Sequence, residues 1–443
     1  MFYSSAVEIT YDVLQYLNYF FIALASAGTL FQVFYIVFSF MKPKRFKHTE
    51  KINKIAIIVS ARNEEEVITG TVKAILDTQT YPKDSYDLYV IADNCTDNTA
   101  QNARKAGANV IIHNNLDPAT HKVSFSLKYG IEQIFSQKKD YYDFFIRFDA
   151  DNHPKSNFLE KMNDAFNAGI EIARPYEADI NGTQNSWTKV SATYYMRDSR
   201  IASNFRERWH MDSMLTGAGM MVSAKILSEK GWDAMGMSED AEYTLNRLLE
   251  NKRVNYVAEA IVYEDQPSTP KDNWARLTRM GHGLNLLFWK KGLKLLGHFL
   301  KSGKWSNIDL FNQLLFIEIS LIGCLWFPAY YIFFIFAHWV NCTGNNWMPF
   351  FSPADSYSQL IELVKLIFVV LAAFYVAYSL QTFLAVFLSK KDLGLKSLKG
   401  YWGGIFLSPI FMVFYGLAIT IGVLSKPKWH KVNRNIPSID KEE

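Results

Sequence analysis

Four long apolar stretches divide the chain, and a different texture fills the space between the first and the second. Residues Tyr16 to Phe40, Leu310 to Val340, Leu360 to Leu388 and Trp402 to Leu424 each predict a membrane-crossing helix, for which about 20 apolar residues suffice. From Lys51 to Asp272, short apolar runs alternate with amphipathic segments. Ile55-Ala56-Ile57-Ile58-Val59-Ser60, Leu88-Tyr89-Val90-Ile91-Ala92, Val110-Ile111-Ile112 and Phe144-Phe145-Ile146-Arg147-Phe148 are short and rich in β-branched or aromatic residues, which predicts buried strands. Helices are expected between them, one opened by Asp97-Asn98-Thr99 and one by Ser156-Asn157, because such side chains cap helix N-termini. Strand–helix alternation predicts an α/β, Rossmann-like domain on a mainly parallel sheet, whose ligands bind at the carboxyl ends of the strands.

Charge orients the apolar stretches. The first ends in Lys42-Pro43-Lys44-Arg45-Phe46-Lys47, the reverse of the order in a signal peptide. Basic residues mark the cytoplasmic side, so the N-terminus is expected outside and the α/β domain in the cytoplasm, in a multi-pass cell-membrane protein. Lys390, Lys391, Lys396 and Lys399 mark another cytoplasmic connection. One span before the domain and three after would put the basic Lys426-Pro427-Lys428-Trp429-His430-Lys431 outside, against its charge. Either the last stretch re-enters without crossing or one span is miscounted. The segment Gly281 to Trp305 interleaves Leu284, Leu287, Phe288, Trp289, Leu293 and Leu296 with Lys290, Lys291, Lys294, Lys301 and Lys304. An amphipathic helix lying in the cytoplasmic interface fits that pattern, and a solvated inter-domain helix is the alternative. The expected divisions are 1–50 (helix and basic linker), 51–272 (α/β domain), 273–306 (interface helices), 307–425 (membrane region) and 426–443 (basic, polar tail).

Composition narrows the class further. The 443 residues carry a net charge of only +4, so no broad basic face argues for nucleic acid. An aromatic content of 15% suits a chain with membrane–water interfaces. Cys95, Cys324 and Cys342 are far apart, odd in number and show no metal-ligand spacing, so neither a disulfide framework nor a zinc site is expected.

The chemistry concentrates at strand ends. Ala61-Arg62-Asn63-Glu64-Glu65 follows the first strand, Asp93-Asn94 the second, and Phe148-Asp149-Ala150-Asp151-Asn152 closes the fourth. Two carboxylates spaced i, i+2 repel unless a cation lies between them. Hard oxygen ligands at an open site suit Mg²⁺ or Mn²⁺, ions usually shared with substrate phosphates. Further along stand Thr216-Gly217-Ala218-Gly219-Met220, Ser238-Glu239-Asp240 and Arg276-Leu277-Thr278-Arg279-Met280.

In order and spacing, these motifs resemble the family 2 glycosyltransferases with a GT-A catalytic domain. The resemblance is to the membrane-integrated group that includes cellulose, chitin and hyaluronan synthases, and it covers about Lys51 to Gly283. It implies a nucleotide-sugar donor, a UDP-sugar above all, contacted by Ala61, Arg62, Glu64 and Asp93, with Asp93 at the uracil end. Asp149 and Asp151 would hold the divalent cation, and Asp149 the donor as well. Lys122 sits where the family often carries a basic residue near the donor, and equally fits an ordinary surface lysine. Asp240 corresponds to the general base of an inverting displacement, with Glu239 beside it. A first-turn capping role for Ser238-Glu239-Asp240 is compatible with that. Arg279 corresponds to the arginine that grips the diphosphate; Arg276, expected among the donor-binding residues, stands where the family has glutamine, and Met280 where it has a tryptophan that stacks on the acceptor. Gly217, Ala218, Gly219, Glu239 and Met280 are expected around the acceptor. The resemblance implies a membrane-embedded enzyme that makes an extracellular polysaccharide. Transfer of one sugar to a lipid is the alternative within the class, and an inactive transporter or scaffold is the alternative outside it. A transporter would favour an intramembrane ionisable cluster, and only Glu318, Glu362 and Lys365 lie in or near the spans.

Overall fold

The computed structural model describes residues 2–117, 120–345 and 347–426, so the basic tail expected beyond Lys426 lies outside the described residues. Eight strands form one sheet: β1 (Ile55–Ala61), β2 (Tyr86–Asp93), β3 (Asn109–His113), β4 (Phe144–Asp149), β5 (His153–Pro154), β6 (Ile172–Asp179), β7 (Met220–Ser223) and β8 (Asn255–Glu264). Their order is β3-β2-β1-β4-β7-β6-β8-β5. The pairs β1–β2, β1–β4, β2–β3 and β6–β8 are parallel, whereas β7 runs antiparallel to β4 and β6, and β5 to β8. The four strands expected from the sequence are β1 to β4, and they make up one half of the sheet. The other half is built from strands the sequence pattern did not announce.

Side-chain alternation puts the two sheet faces into two cores. Ile55, Ile57 and Val59 face one core, with Ile68, Val72 and Ile75 of α2 (Ile68–Leu76) and Phe158, Leu159 and Met162 of α5 (Phe158–Asn167). Ala56 and Ile58 face the other, with Leu127, Ile131 and Ile134 of α4 (Val123–Gln137) and Tyr243 of α9 (Glu239–Leu249). Each fully buried isoleucine of β1 contributes roughly 1.5–3 kcal/mol. Both faces are therefore covered, and the strand ends are left to carry chemistry. Two short helices complete this part, α3 (Thr99–Lys105) and α8 (Ala224–Lys230).

Among the described residues, four helices are long and apolar enough to cross a membrane: α1 (Phe2–Val37), α11 (Trp305–Cys342), α12 (Pro353–Asp392) and α13 (Trp402–Leu424). They are tied to the sheet through α6 (Ser186–Arg197), a π turn (Asp198–Ser203) and α7 (Asn204–Arg208). Arg206 of α7 reaches Asp309 of α11 through Nε (2.7 Å) and donates through Nη2 to the Tyr35 hydroxyl of α1 (2.8 Å). Tyr35 in turn donates to Asp309. Asp309 is completely buried, so removing Arg206 would strand its charge, a loss of about 3–5 kcal/mol.

The amphipathic segment belongs to α10 (Pro270–Ser302). Thr269 caps it, accepting from the Asp272 N–H (3.1 Å) with Pro270 in the first turn, and Gly303 ends it in the left-handed conformation. The divide expected between residues 272 and 273 falls inside this continuous helix. Leu287 and Leu295 are buried against Leu245 and Leu248 of α9 and Leu310 and Leu314 of α11. Leu286, Trp289, Leu293 and Leu300 form an exposed stripe on the other side.

The helix α13 rests on the domain at both ends. A Cβ on Gly404 would fall 2.7 Å from the Lys189 carbonyl oxygen of α6, and one on Gly422 would collide with the Thr278 carbonyl of α10. Its apolar window is 44% buried, against 0% in α12. A helix of 23 residues is about 35 Å long, so contact at both ends means it runs along the domain rather than away from it.

Candidate active site

The parallel half of the sheet delivers the first set of side chains. Directly after β1 and β2, Asn63 and Asn94 adopt positive φ (55° and 49°), which folds each loop back over the strand ends. The Asn63 side-chain oxygen accepts from the Thr96 N–H (2.8 Å), and that of Asn94 from the Asn115 N–H (2.8 Å). Asp93 is buried; its Oδ1 lies 2.7 Å from His113 Nδ1 and accepts from the Asn94 amide (2.7 Å). Ala61 is buried at the end of β1, and the neighbouring Arg62 guanidinium lies 3.2 Å from His121 Nδ1. The Glu64 N–H donates to Thr99 Oγ1 at the start of α3. Lys122 is exposed, one residue before α4, beside the loop that meets Arg62.

At the centre, β4 ends in Asp149, whose side chain is 39% exposed, while Asp151 is buried. The Asp149 N–H donates to Asn152 Oδ1 (3.0 Å), fixing the turn. Arg147, two residues earlier on the same face of β4, is buried and bridges two elements. Its Nη2 lies 2.9 Å from Asp149 Oδ1 and its Nη1 3.0 Å from Glu239 Oε1. Gly217 approaches from the loop before β7, where a Cβ would fall 2.6 Å from Asp149 Oδ2. Ala218 and Gly219 back this loop against Phe148 and Phe158, with Gly219 at φ +69°.

Ser238-Glu239-Asp240 opens α9, with Ser238 at the cap position and both carboxylates in the first turn, where the helix dipole favours negative charge. The Ala241 N–H donates to Asp240 Oδ1 (2.7 Å). Burial pushes the Glu239 and Asp240 carboxyls above the ordinary range, and the Arg147 charge opposes the rise. Asp240 therefore sits as a desolvated carboxylate beside Asp149, suited to accepting a proton.

The two arginines of α10 part company. Arg279 is exposed and lies in the field of Glu239, Asp149 and Asp240. Arg276 instead donates to Gln266 Oε1 (3.2 Å), lies 3.9 Å from Glu264 and stacks on the Tyr195 ring (5.5 Å). Met280 packs into the apolar cluster around Phe411, Tyr415 and Ile419 of α13. Trp274 joins it there, against Phe414. Arg147 escaped the sequence reading, although an arginine inside the apolar run Phe144–Phe148 was a visible signal for it.

The site fits a divalent cation. Asp149 and Asp151 supply hard oxygens, Gly217 leaves the space beside Asp149 Oδ2 clear, and the Arg147 guanidinium already neutralises the other oxygen. Among the described residues, no third His, Cys or carboxylate completes a protein-only cage there, as suits an ion shared with phosphate oxygens. The one three-ligand grouping, His48, Glu160 and Asp164, lies around α5 and is already bridged by Lys161.

A mixed, mostly parallel sheet with carboxylates at its strand ends defines a Rossmann-like sugar-transfer domain of GT-A type. Residues 53–283 match the family described as "Glycosyltransferase like family 2", and the chain belongs to that family: it is a nucleotide-sugar-dependent glycosyltransferase. It is 24% identical over 309 residues to "Probable glycosyltransferase YdaM" of Bacillus subtilis, covering 68% of this chain and 71% of that one. It is 22% identical over 240 residues to a beta-monoglucosyldiacylglycerol synthase of Nostoc, covering 52% of this chain and 48% of the relative, about half its length. Among solved structures, the fold is similar to that of the mannosyltransferase PcManGT from Pyrobaculum calidifontis, in complex with GDP-Man and Mn²⁺. That likeness has a TM-score of 0.52 at 14% identity and covers 93% of this chain and 99% of the other.

Proposed function

We propose that this protein is a membrane-embedded, inverting glycosyltransferase that takes a UDP-sugar from the cytoplasm and transfers one sugar to a lipid acceptor. The observation that carries this reading is α10, a single helix with Arg279 at the cleft and the exposed Leu286, Trp289, Leu293 and Leu300 stripe further along. The catalytic cleft is thereby held at the bilayer surface.

In this reading Asp93, Arg62 and the Ala61–Glu64 loop bind the nucleoside, and Arg279 the diphosphate. Asp149 and Asp151 hold Mg²⁺ or Mn²⁺, which when bound offsets the charge of the departing diphosphate. Asp240 takes the proton from the acceptor hydroxyl as that oxygen attacks the anomeric carbon from the side opposite the diphosphate, which inverts the centre. Arg147 ties Asp149 to Glu239 and offsets their negative charge.

The chain crosses the membrane with α1, α11 and α12, and α13 lies along the cytoplasmic face beneath the domain. That arrangement keeps Lys390 to Lys399 and Lys426 on one side, in line with the bias of basic residues. It also supports lipid transfer over a polymer product. The helix α13 packs closely on α6 and α10 at Gly404 and Gly422, and Met280, packed against α13, lacks the flat stacking face of an indole.

The test is purified protein in lipid, given a panel of UDP-sugars with and without chelator. Metal-dependent UDP release and an organic-soluble glycolipid are expected. Turnover in excess chelator would remove the metal, and a product of high mass on a sizing column would restore the polysaccharide reading.

A further inference from the structure

The nucleotide half of the cleft is built by β1 and β2, whereas β6 and β8 close the sheet on the far side of β4. Their last residues, Asp179 and Glu264, are register partners on adjacent parallel strands, so their side chains leave the sheet edge about 4.8 Å apart. Gln266 stands behind them and is 1% exposed. Arg276 donates to its oxygen, which fixes the amide and turns its nitrogen away from the arginine. The Gln266 amide interacts with the Asp179 and Glu264 carboxyls, yet that nitrogen and both buried Asp179 oxygens make no close, well-aligned hydrogen bond. Buried polar atoms are rarely left so loosely paired, and here they cluster at the ends of β6 and β8, with Glu264 in the field of Asp149. Tyr195 of α6 and Arg276 of α10 flank the cluster, and both helices rest on α13.

We propose that Asp179, Glu264 and Gln266 form the acceptor subsite, and that it takes an uncharged hydroxyl-bearing headgroup, a polyol or sugar, rather than a phosphate. This deepens the lipid-transfer reading and rests on it. Two acceptors at neighbouring strand ends match two hydroxyls of one polyol, with the Gln266 amide donating to a third oxygen. Asp179 and Glu264 already share the field of Arg276, so a phosphate would compete with two carboxyls for that guanidinium. Burial pushes the Asp179 carboxyl well above the usual range, Glu264 up to about 7 and Asp265 up to about 6, so carboxyls holding protons there can both donate to and accept from hydroxyls. The Asp240 base fits the same conclusion, since a hydroxyl must lose a proton to attack and a phosphate need not.

The experiment uses the full chain in lipid nanodiscs, with the UDP-sugar that supports UDP release. Dioleoylglycerol and octyl β-glucoside are the hydroxyl probes, and a polyprenyl phosphate is the anionic one. Transfer to a hydroxyl probe and not to the phosphate is expected. Asp179→Asn and Glu264→Gln should each raise the acceptor KM tenfold or more, while the Kd for UDP with Mn²⁺ by calorimetry moves less than twofold. Thermal melts confirm that the variants fold. Preference for the phosphate, no transfer to either hydroxyl probe, an unchanged acceptor KM in both variants, or parallel losses of acceptor and UDP affinity would each overturn the subsite. A wild-type protein that binds no UDP would instead overturn the donor reading beneath it.

Discussion

Gly217→Ala separates the site from the fold. The added Cβ would lie 2.6 Å from Asp149 Oδ2 and 3.3 Å from Arg147 Nη2, with nothing else closer than the Asp149 carboxyl carbon at 3.3 Å. Ordinary contact begins near 3.4 Å, so the carboxylate must retreat by about 0.8 Å, several times the ~0.2 Å by which a metal ligand can stray. Retreat is resisted because Arg147 holds the other oxygen and is itself anchored to Glu239. A displaced ligand of this kind should weaken binding of UDP with Mn²⁺ by roughly 10–100-fold. The backbone at Gly217 is outside the positive-φ region, so alanine costs no strain there, unlike at Gly219. Stability should therefore change little. Calorimetric titration of UDP with Mn²⁺, set beside a thermal melt, checks both halves. Wild-type affinity in Gly217→Ala would show that Asp149 does not hold the ion through Oδ2; lost affinity with a collapsed melt would show a folding defect instead.

Asp240→Asn should leave UDP affinity near normal and lower kcat by roughly 10²-fold or more; a lost Kd with unchanged kcat would place the base elsewhere. Because burial raises the Asp240 carboxyl and only the deprotonated form can take a proton, wild-type kcat/KM should rise with pH through a limb above the usual aspartate range. A limb at or below pH 4 would refute the desolvated environment. Arg279→Ala should weaken UDP binding about tenfold or more, and Arg276→Ala should not, since Arg276 is held by Gln266 and Glu264. Equal losses would count against the separation of the two.

What could be read from the sequence was local. The strands β1 to β4 were legible because each carries a short apolar run, and the long apolar helices because length and composition suffice. Asp149, Asp151 and Asp240 were legible through their spacing and order. The β6 strand was not: Arg174 and Glu177 are buried in it, and Pro175 sits at a register shift. Such a run reads as a loop until Arg174 finds Glu177 at 3.3 Å and Asp198 at 2.7 Å. No periodicity announces pairings of this kind, and the one with Asp198 reaches outside the strand altogether. The same holds for Arg147 with Glu239, for Asp179 beside Glu264, and for Met280, whose place against α13 depends on how two helices cross. The disposition of α13 shows the limit most plainly. A helix that crosses a bilayer and one that lies beneath a domain are equally apolar, because both are removed from water. That α13 packs on α6 through Gly404 and on α10 through Gly422 is a contact between distant parts of the chain, which only the tertiary structure shows.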